Sequence, residues 1–309
     1  MQSASDRFGH NRPGVIGMTP LTGYGRPYGS TWRGMGKLTL LAGWILFTFL
    51  VQPWIVWGTR RFFFKTARIF HLMVRKILRI QIVQIGRPCA ETPVLFAANH
   101  TSYLDIAVLG SIVTGCFVAK SEVEGWPVIG WLCKLQRTIF IQRKASQASG
   151  QSDIMRERLE EGCNLILFAE GTSTDGCHIL PFKSSLFSIT QPPLKDGRPI
   201  YVQPVSITAV ALDGLPMGRT LRPLYAWYGD MTLGGHGWPM LKLGKMAVAV
   251  EFHAPVASTD FTDRKALARY CSMMAQQGVS RALAGRDPAL HLLPPPGVKL
   301  LPARSKQDA

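Results

Sequence analysis

Short apolar stretches alternate with helical patterns over most of the chain, from Ile80 onward. Each stretch has the length and composition of a buried strand, and most are separated by segments whose apolar residues recur every three or four positions. This alternation predicts an α/β fold with a mixed, mostly parallel central sheet and helices on both faces. The predicted strands are Ile80–Ile85, Val94–Ala98, Cys116–Ala119, Thr138–Ile141, Asn164–Phe168, Val202–Ile207 and Met246–Phe252, and the predicted helices are Tyr103–Val113, Val128–Lys134, Ala145–Glu161 and Arg264–Ala284.

A different pattern precedes this region. Leu38 to Gly58 is an uncharged, mostly apolar run that, as a helix, would extend about 30 Å, enough to cross a bilayer. Trp44, Trp54 and Trp57 are suited to the interface between lipid and water. Pro53 lies within the run and predicts a kink or a shallow re-entrant turn.

The chain is strongly basic, with a net charge of +16, and its charges are unevenly distributed. No acidic residue occurs between Asp6 and Glu91, and Arg61 to Arg79 carries a helical stripe of basic residues beside apolar ones. Such a helix suits an anionic membrane surface, although an ordinary solvated amphipathic helix has the same pattern. Nucleic acid is excluded as the partner because the basic residues surround an apolar run and accompany no nucleic-acid-binding motif.

These patterns divide the chain into four parts. We expect a disordered basic segment over 1–36, a membrane-anchoring pair of helices over 37–79, an α/β domain over 80–285 and a Pro-rich tail over 286–309. The six cysteines form no C-x-x-C pair, so we expect reduced, buried thiols and no zinc site. The histidines lack ligand spacing, so no metal is expected.

One motif carries recognisable chemistry. Asn99-His100-Thr101-Ser102-Tyr103-Leu104-Asp105 directly follows a predicted strand. A helix that began at Thr101 or Ser102 would place the Asp105 carboxylate about one turn in, within reach of the His100 ring. A histidine held by a carboxylate can act as the general base for a hydroxyl nucleophile.

Four blocks in order resemble the glycerolipid acyltransferases of the lysophosphatidate acyltransferase type. They are Asn99-His100-x-x-x-x-Asp105, Phe140-Ile141-Gln142-Arg143, Glu170-Gly171-Thr172 and Val202-Gln203-Pro204-Val205. The resemblance covers roughly Arg79 to Phe252. The segments that begin at Glu170 and at Pro181 also resemble a proteobacterial branch of the family, which includes lyso-ornithine lipid acyltransferases.

The resemblance implies roles for particular residues. His100 and Asp105 would be the catalytic pair, with His100 as the base and Asp105 orienting its ring. The expected substrate-binding residues are Asn99 at the turn, Arg143 and Lys183 toward an anionic headgroup, Glu170, Gly171 and Thr172 beside the His100 loop, and Pro204 along the acyl channel. Because proline cannot donate to a sheet ladder, Pro204 also predicts a sheet edge or a bulge.

The expected reaction transfers a fatty acyl group from acyl-CoA or acyl carrier protein to a lysolipid hydroxyl, without a cofactor, at the cytoplasmic face of the inner membrane. The first acceptor considered is 1-acylglycerol 3-phosphate, and the alternative is lyso-ornithine lipid. The family usually has Pro before Glu-Gly-Thr and Arg after it, whereas this chain has Ala169 and Ser173. Two other classes stay open: a non-catalytic lipid-binding protein, and a hydrolase, which would need a protein nucleophile although no G-x-S-x-G elbow is present.

Overall fold

The computed structural model describes residues 29–58, 63–141 and 148–285. The predictions for 1–28 and for the tail at 286–309 therefore lie outside the described residues. The helices are α1 Thr31–Gly58, α2 Phe63–Leu78, α3 Leu104–Gly110, α4 Ile129–Leu135, α5 Ala148–Glu160, α6 Leu233–Lys242 and α7 Arg264–Leu283. The strands are β1 Ile80–Ile85, β2 Val94–Ala98, β3 Cys116–Lys120, β4 Ile139–Ile141, β5 Leu165–Phe168, β6 Tyr201–Leu212, β7 Leu215–Pro216, β8 Met246–Phe252 and β9 Val256–Ala257.

The sheet is mixed and mostly parallel, as predicted. Its main strand order is β1-β8-β6-β2-β5-β3-β4, and the short strands β7 and β9 also pair with β6. Strands β6, β2, β5, β3 and β4 run parallel to one another, whereas β8 runs antiparallel to β6 and parallel to β1. The carboxyl ends of β2 and β5 therefore meet at one edge, beside the middle of the longer strand β6, where Ala98 lies opposite Val205.

Helices cover both faces of the sheet, which confirms the predicted architecture. One apolar core joins the sheet to α3 and α6 through residues such as Val108 and Met240. The second core joins it to α5 and α7 through residues such as Leu159 and Cys271. A strand buried on both faces is apolar along its whole length, and all five residues of β2 are buried.

The long apolar helix begins earlier than predicted. α1 starts at Thr31 rather than at 37, and it stays helical through residue 53, so no re-entrant turn forms. Among the described residues it is the one helix long and apolar enough to cross a membrane, over Thr31–Gln52. Its first turns are held to the domain by Lys37, whose ammonium group donates to the carbonyls of Leu78 and Leu243 at 3.0 Å each.

The amphipathic helix α2 packs against the domain along one face. Phe70 and His71 are buried, and the His71 ring lies 5.6 Å from the ring of Phe117. Two members of the basic stripe bind backbone carbonyls of the protein: Arg68 binds Ser111 and Arg75 binds Ile80. These two contacts hold one side of α2 to the domain, and its role in membrane anchoring stays a prediction.

Three elements were not predicted. α6 contains Gly234, Gly235, Gly237 and Pro239, which hide its helical pattern; its N-cap Thr232 accepts a hydrogen bond from the N–H of Gly235. The two-residue strands β7 and β9 are too short to produce a periodic signal.

Candidate active site

The candidate site lies at the carboxyl ends of β2 and β5. These strands are parallel neighbours, with Ala98 opposite Phe168, so the chain segments that follow them leave the sheet side by side. His100 follows β2, and Glu170 follows β5. Ligands of α/β sheets commonly bind at this edge, because the loops that leave the strands converge there.

His100 and Asp105 form the predicted pair. The Nδ1 atom of His100 lies 3.0 Å from Oδ2 of Asp105. A carboxylate can only accept, so Nδ1 carries the hydrogen and Nε2 is the nitrogen that can accept a proton. The side chain of His100 is 18% exposed, whereas that of Asp105 is fully buried.

The turn between the two residues differs from the expected geometry. α3 begins at Leu104, not at Thr101 or Ser102. The Asp105 carboxylate instead folds back over the turn, where its Oδ2 accepts the N–H of Thr101 at 2.7 Å and of Ser102 at 2.9 Å. These two bonds hold the carboxylate in the orientation that reaches His100, so the pair forms by a different local structure.

The ring of Phe168 helps to hold the orientation of the His100 imidazole. His100 stacks on Phe168, the last residue of β5, with ring centroids 4.0 Å apart. The carbonyl of His100 accepts the N–H of Thr174 at 3.0 Å. The ring is thus supported by a neighbour strand and by the loop that follows it.

Glu170 braces the His100 loop. Its Oε1 accepts the N–H of His100 and its Oε2 accepts the N–H of Leu180, each at 2.7 Å. Burial, with a smaller contribution from the charge of Asp105, raises the pKa of Glu170 to about 7. With both oxygens engaged by the backbone, the carboxylate acts on the shape of the loop.

Asn99 ties the site to the next strand. Its amide donates to the carbonyl of Ile207 at 3.0 Å and accepts the N–H of Ile207 at 2.7 Å. Asn99 is buried, so it connects β2 to the middle of β6 rather than shaping the turn alone. This pairing extends the sheet contact by one residue beyond Ala98.

The residues that follow Glu170 approach a lysine from a later loop. They are Gly171 and Thr172, and the lysine is Lys183. Gly171 has φ +69°, and a Cβ there would lie 2.8 Å from the Nζ atom of Lys183. A side chain at 171 would therefore be strained and would displace the lysine. Lys183 is exposed and Thr172 is half-buried, so a cation is available at the rim of the site.

The remaining predicted binding residues are Arg143 and Pro204. Arg143 lies outside the described residues. Pro204 lies neither at an edge nor at a bulge: it is a buried residue of the central strand β6, opposite Ala97 of β2. Its carbonyl accepts the N–H of His253, just after β8 ends and before β9 begins. The neighbouring strand is interrupted there, which explains why a proline is tolerated.

Sequence reasoning did not identify Tyr225. Its hydroxyl donates to Oδ1 of Asp105 at 2.7 Å, and its side chain is fully buried. The N–H of Trp227 donates to the carbonyl of Thr101 at 2.9 Å. This segment has no helical or strand period, and 120 residues separate it from Asp105, so no local signal could have indicated the contact.

The sequence and the fold match those of known proteins. The Acyltransferase family matches residues 75–208. A lyso-ornithine lipid O-acyltransferase of Brucella abortus is 39% identical over 226 residues, covering 72% of this chain and 85% of that protein. The chain belongs to the lysolipid acyltransferase family.

Two further relatives also match this acyltransferase. A 1-acyl-sn-glycerol-3-phosphate acyltransferase of Neisseria gonorrhoeae is 33% identical, covering 60% of this chain and 69% of that protein. The crystal structure of the 1-acyl-sn-glycerophosphate acyltransferase of Thermotoga maritima shares its fold, with a TM-score of 0.57, 21% identity, and coverage of 81% of this chain and 97% of that one. The protein is therefore a lysolipid O-acyltransferase, and the non-catalytic and hydrolase interpretations are not needed.

Proposed function

We propose that this enzyme is a lyso-ornithine lipid O-acyltransferase. The observation that carries the proposal is its identity of 39% over 85% of a relative with that activity, compared with 33% over 69% of a lysophosphatidate enzyme. This favours the acceptor considered second from the sequence over the one considered first. Ser173, which replaces the usual arginine, supports the same choice because it removes a fixed charge suited to a phosphate.

The proposed reaction uses His100 as the general base. As the lysolipid hydroxyl oxygen attacks the thioester carbonyl of the donor, its proton passes to Nε2 of His100. The imidazolium so formed is stabilised by Asp105, 3.0 Å from Nδ1. When the C–S bond breaks, the thiolate leaves and takes up a proton, which the imidazolium can supply. The acyl group moves directly to the acceptor, so no acyl-enzyme is formed.

The headgroup distinguishes the two acceptors chemically. An ornithine headgroup carries a carboxylate and an amine, whereas 1-acylglycerol 3-phosphate carries a phosphate. Lys183, exposed at the rim beside Gly171, can pair with either anion. Asp175, in the loop that follows Ser173, adds a partly exposed carboxylate 3.1 Å from His178. Lys183 and Asp175 together offer the two signs of charge that a headgroup of mixed charge could pair with, whereas a phosphate could pair only with the cation.

We further propose that the enzyme works at the cytoplasmic face of the inner membrane. α1 exposes large apolar side chains to its surroundings, including Trp32, Leu40, Leu50 and Trp54. The net charge of +16 favours a surface of anionic lipids. The acyl donor, acyl-CoA or acyl carrier protein, is soluble and anionic, so it would reach the site from the aqueous side.

The test is an acyl-transfer assay of the purified full-length protein with both acceptors. Labelled acyl-CoA and labelled acyl carrier protein are each supplied with lyso-ornithine lipid or with 1-acylglycerol 3-phosphate. We expect faster turnover of the ornithine lipid with at least one donor. Turnover of 1-acylglycerol 3-phosphate alone would contradict the proposal and establish the second candidate, which the Neisseria relative supports.

A charge substitution sharpens the assay. Ser173→Arg restores the arginine that the family usually has, and we expect it to shift the preference toward the phosphate acceptor. Ser185→Arg adds the same charge at an exposed position outside the Glu170 loop and serves as the control. An equal shift in both variants would mean that general electrostatics, and not residue 173, sets the preference.

A further inference from the structure

We propose that Tyr225 is a positioning residue for acyl transfer, which holds the Asp105 carboxylate so that one oxygen serves His100 throughout the reaction. This inference rests on the proposed role of His100 and Asp105. The two carboxylate oxygens have separate partners. Oδ2 contacts His100 and the two turn N–H groups, whereas Oδ1 accepts from Tyr225 at 2.7 Å.

The Tyr225 hydroxyl stays protonated and can therefore donate its hydrogen bond to Asp105 throughout the reaction. Burial, followed by the charge of Asp105, raises the pKa of Tyr225 well above its ordinary value, so the phenol keeps its proton at any working pH. A buried carboxylate oxygen without a donor is costly, because it has lost its hydrogen bonds to water and has no partner in their place. Removal of the hydroxyl would leave Oδ1 in that state and free the carboxylate to rotate.

Hydrogen bonds from residues before and after Tyr225 hold this segment against the site. It follows a short turn at Arg222–Leu224, and Arg222 donates to the carbonyl of Gly176 at 2.8 Å in the loop after Glu170. Two residues later, Trp227 binds the carbonyl of Thr101. The segment therefore joins both loops of the site. It lies beyond residue 208, where the family match ends.

Loss of the hydroxyl should change the pH dependence of the reaction. A carboxylate that lacks this donor attracts the imidazolium more strongly and is itself protonated more readily. Both effects remove the active form at low pH, so the ascending limb of the pH–rate profile should move to higher pH. Among the described residues, the titratable groups beside Asp105 and Tyr225 are His100, Tyr103 and Glu170; His236 contacts Tyr103, and Arg222 precedes Tyr225 on the same turn.

The experiment measures kcat and KM of Tyr225→Phe with lyso-ornithine lipid across pH. We expect kcat to fall about tenfold, KM for the acceptor to change little, and the ascending limb to move to higher pH. Because Glu170 titrates near neutral pH, the comparison is repeated in the Glu170→Gln background. Tyr270→Phe removes another buried hydroxyl, on α7, and should leave the profile unchanged.

A double-mutant cycle separates positioning from general structure. In the Asp105→Ala background there is no carboxylate to hold, so Tyr225→Phe should cost little further. An equal fold-loss in both backgrounds, or an unshifted pH profile, would overturn the inference.

NMR titration of the His100 ring gives a second readout that needs no turnover, with the signal assigned by means of His100→Gln. The midpoint of this titration should move to higher pH in Tyr225→Phe. An unmoved midpoint would overturn the inference. Absence of acyl transfer by the wild-type protein would instead contradict the proposed function.

Discussion

Two histidines of this enzyme lie beside carboxylates at strand ends, and their surroundings make them chemically different. His100 contacts Asp105 through Nδ1, and its side chain is 18% exposed. His253 lies 3.7 Å from Glu251, and its side chain is 2% exposed. The residue types alone would nominate either pair as a base.

The second ring nitrogen decides between them. Nε2 of His253 lies 2.6 Å from Ser206, whose hydroxyl donates to the carbonyl of Ala275 at 3.0 Å. With its hydrogen so directed, Ser206 accepts from His253, and Nε2 is a donor. In His100 the nitrogen bound to the carboxylate is Nδ1, so Nε2 can accept a proton. Which nitrogen is available, rather than the presence of a histidine and an acid, separates a candidate base from a structural residue.

The largest effect should come from removing the available nitrogen. We expect His100→Ala to lower kcat roughly a hundredfold to ten-thousandfold, the usual worth of a positioned base. The matched control is His253→Gln, which should reduce stability but change turnover per folded molecule only about threefold or less. The measurement is kcat with lyso-ornithine lipid, normalised to folded protein. Similar losses in the two variants would erase the distinction between the pairs.

Asp105→Asn should have the next largest effect. The asparagine amide would place its own N–H groups opposite the backbone N–H groups of Thr101 and Ser102, which bind Oδ2 in the wild type. His100 would therefore lose its fixed orientation. We expect kcat to fall roughly a hundredfold while acceptor KM stays near normal, as steady-state kinetics would reveal. A variant impaired mainly in KM would instead assign Asp105 to acceptor binding.

Glu170→Gln should produce a smaller loss. Both oxygens of Glu170 accept backbone N–H groups, and glutamine can offer an acceptor to only one of them. We expect the free energy of unfolding to fall by about 1–3 kcal/mol and kcat to fall about tenfold, measured by denaturation and turnover. Glu161→Gln, which removes an exposed partner of Arg158, is the control and should change neither quantity appreciably.

The smallest effect concerns pH and stability. The pKa of Glu170 is about 7, above its ordinary value, so the folded state keeps a proton that the unfolded chain releases near pH 4.5. The free energy of unfolding should therefore fall as pH rises through this window, on the order of 1–3 kcal/mol. Denaturation curves of the wild type and of Glu170→Gln across pH measure the difference. Parallel pH dependences would mean that Glu170 does not titrate there.

The sequence predicted what depends on local pattern. The strands appear as short apolar runs, and Asn99, His100 and Asp105 are close enough in the chain for their geometry to be inferred. Pro204 misled the prediction because its effect depends on where the neighbouring strand ends, which is not a property of β6. Tyr225 was missed because its contact with Asp105 arises only when distant segments pack.

The proposed catalysis depends on proton transfer from the lysolipid hydroxyl to Nε2 of His100. A single-turnover experiment with labelled donor and lyso-ornithine lipid, in H2O and in D2O, measures that step directly. We predict slower acyl transfer in D2O for the wild type, and a smaller isotope effect for the residual reaction of His100→Ala. Equal wild-type rates in the two solvents, with acyl transfer shown to be rate-limiting, would contradict the assignment of His100 as the base.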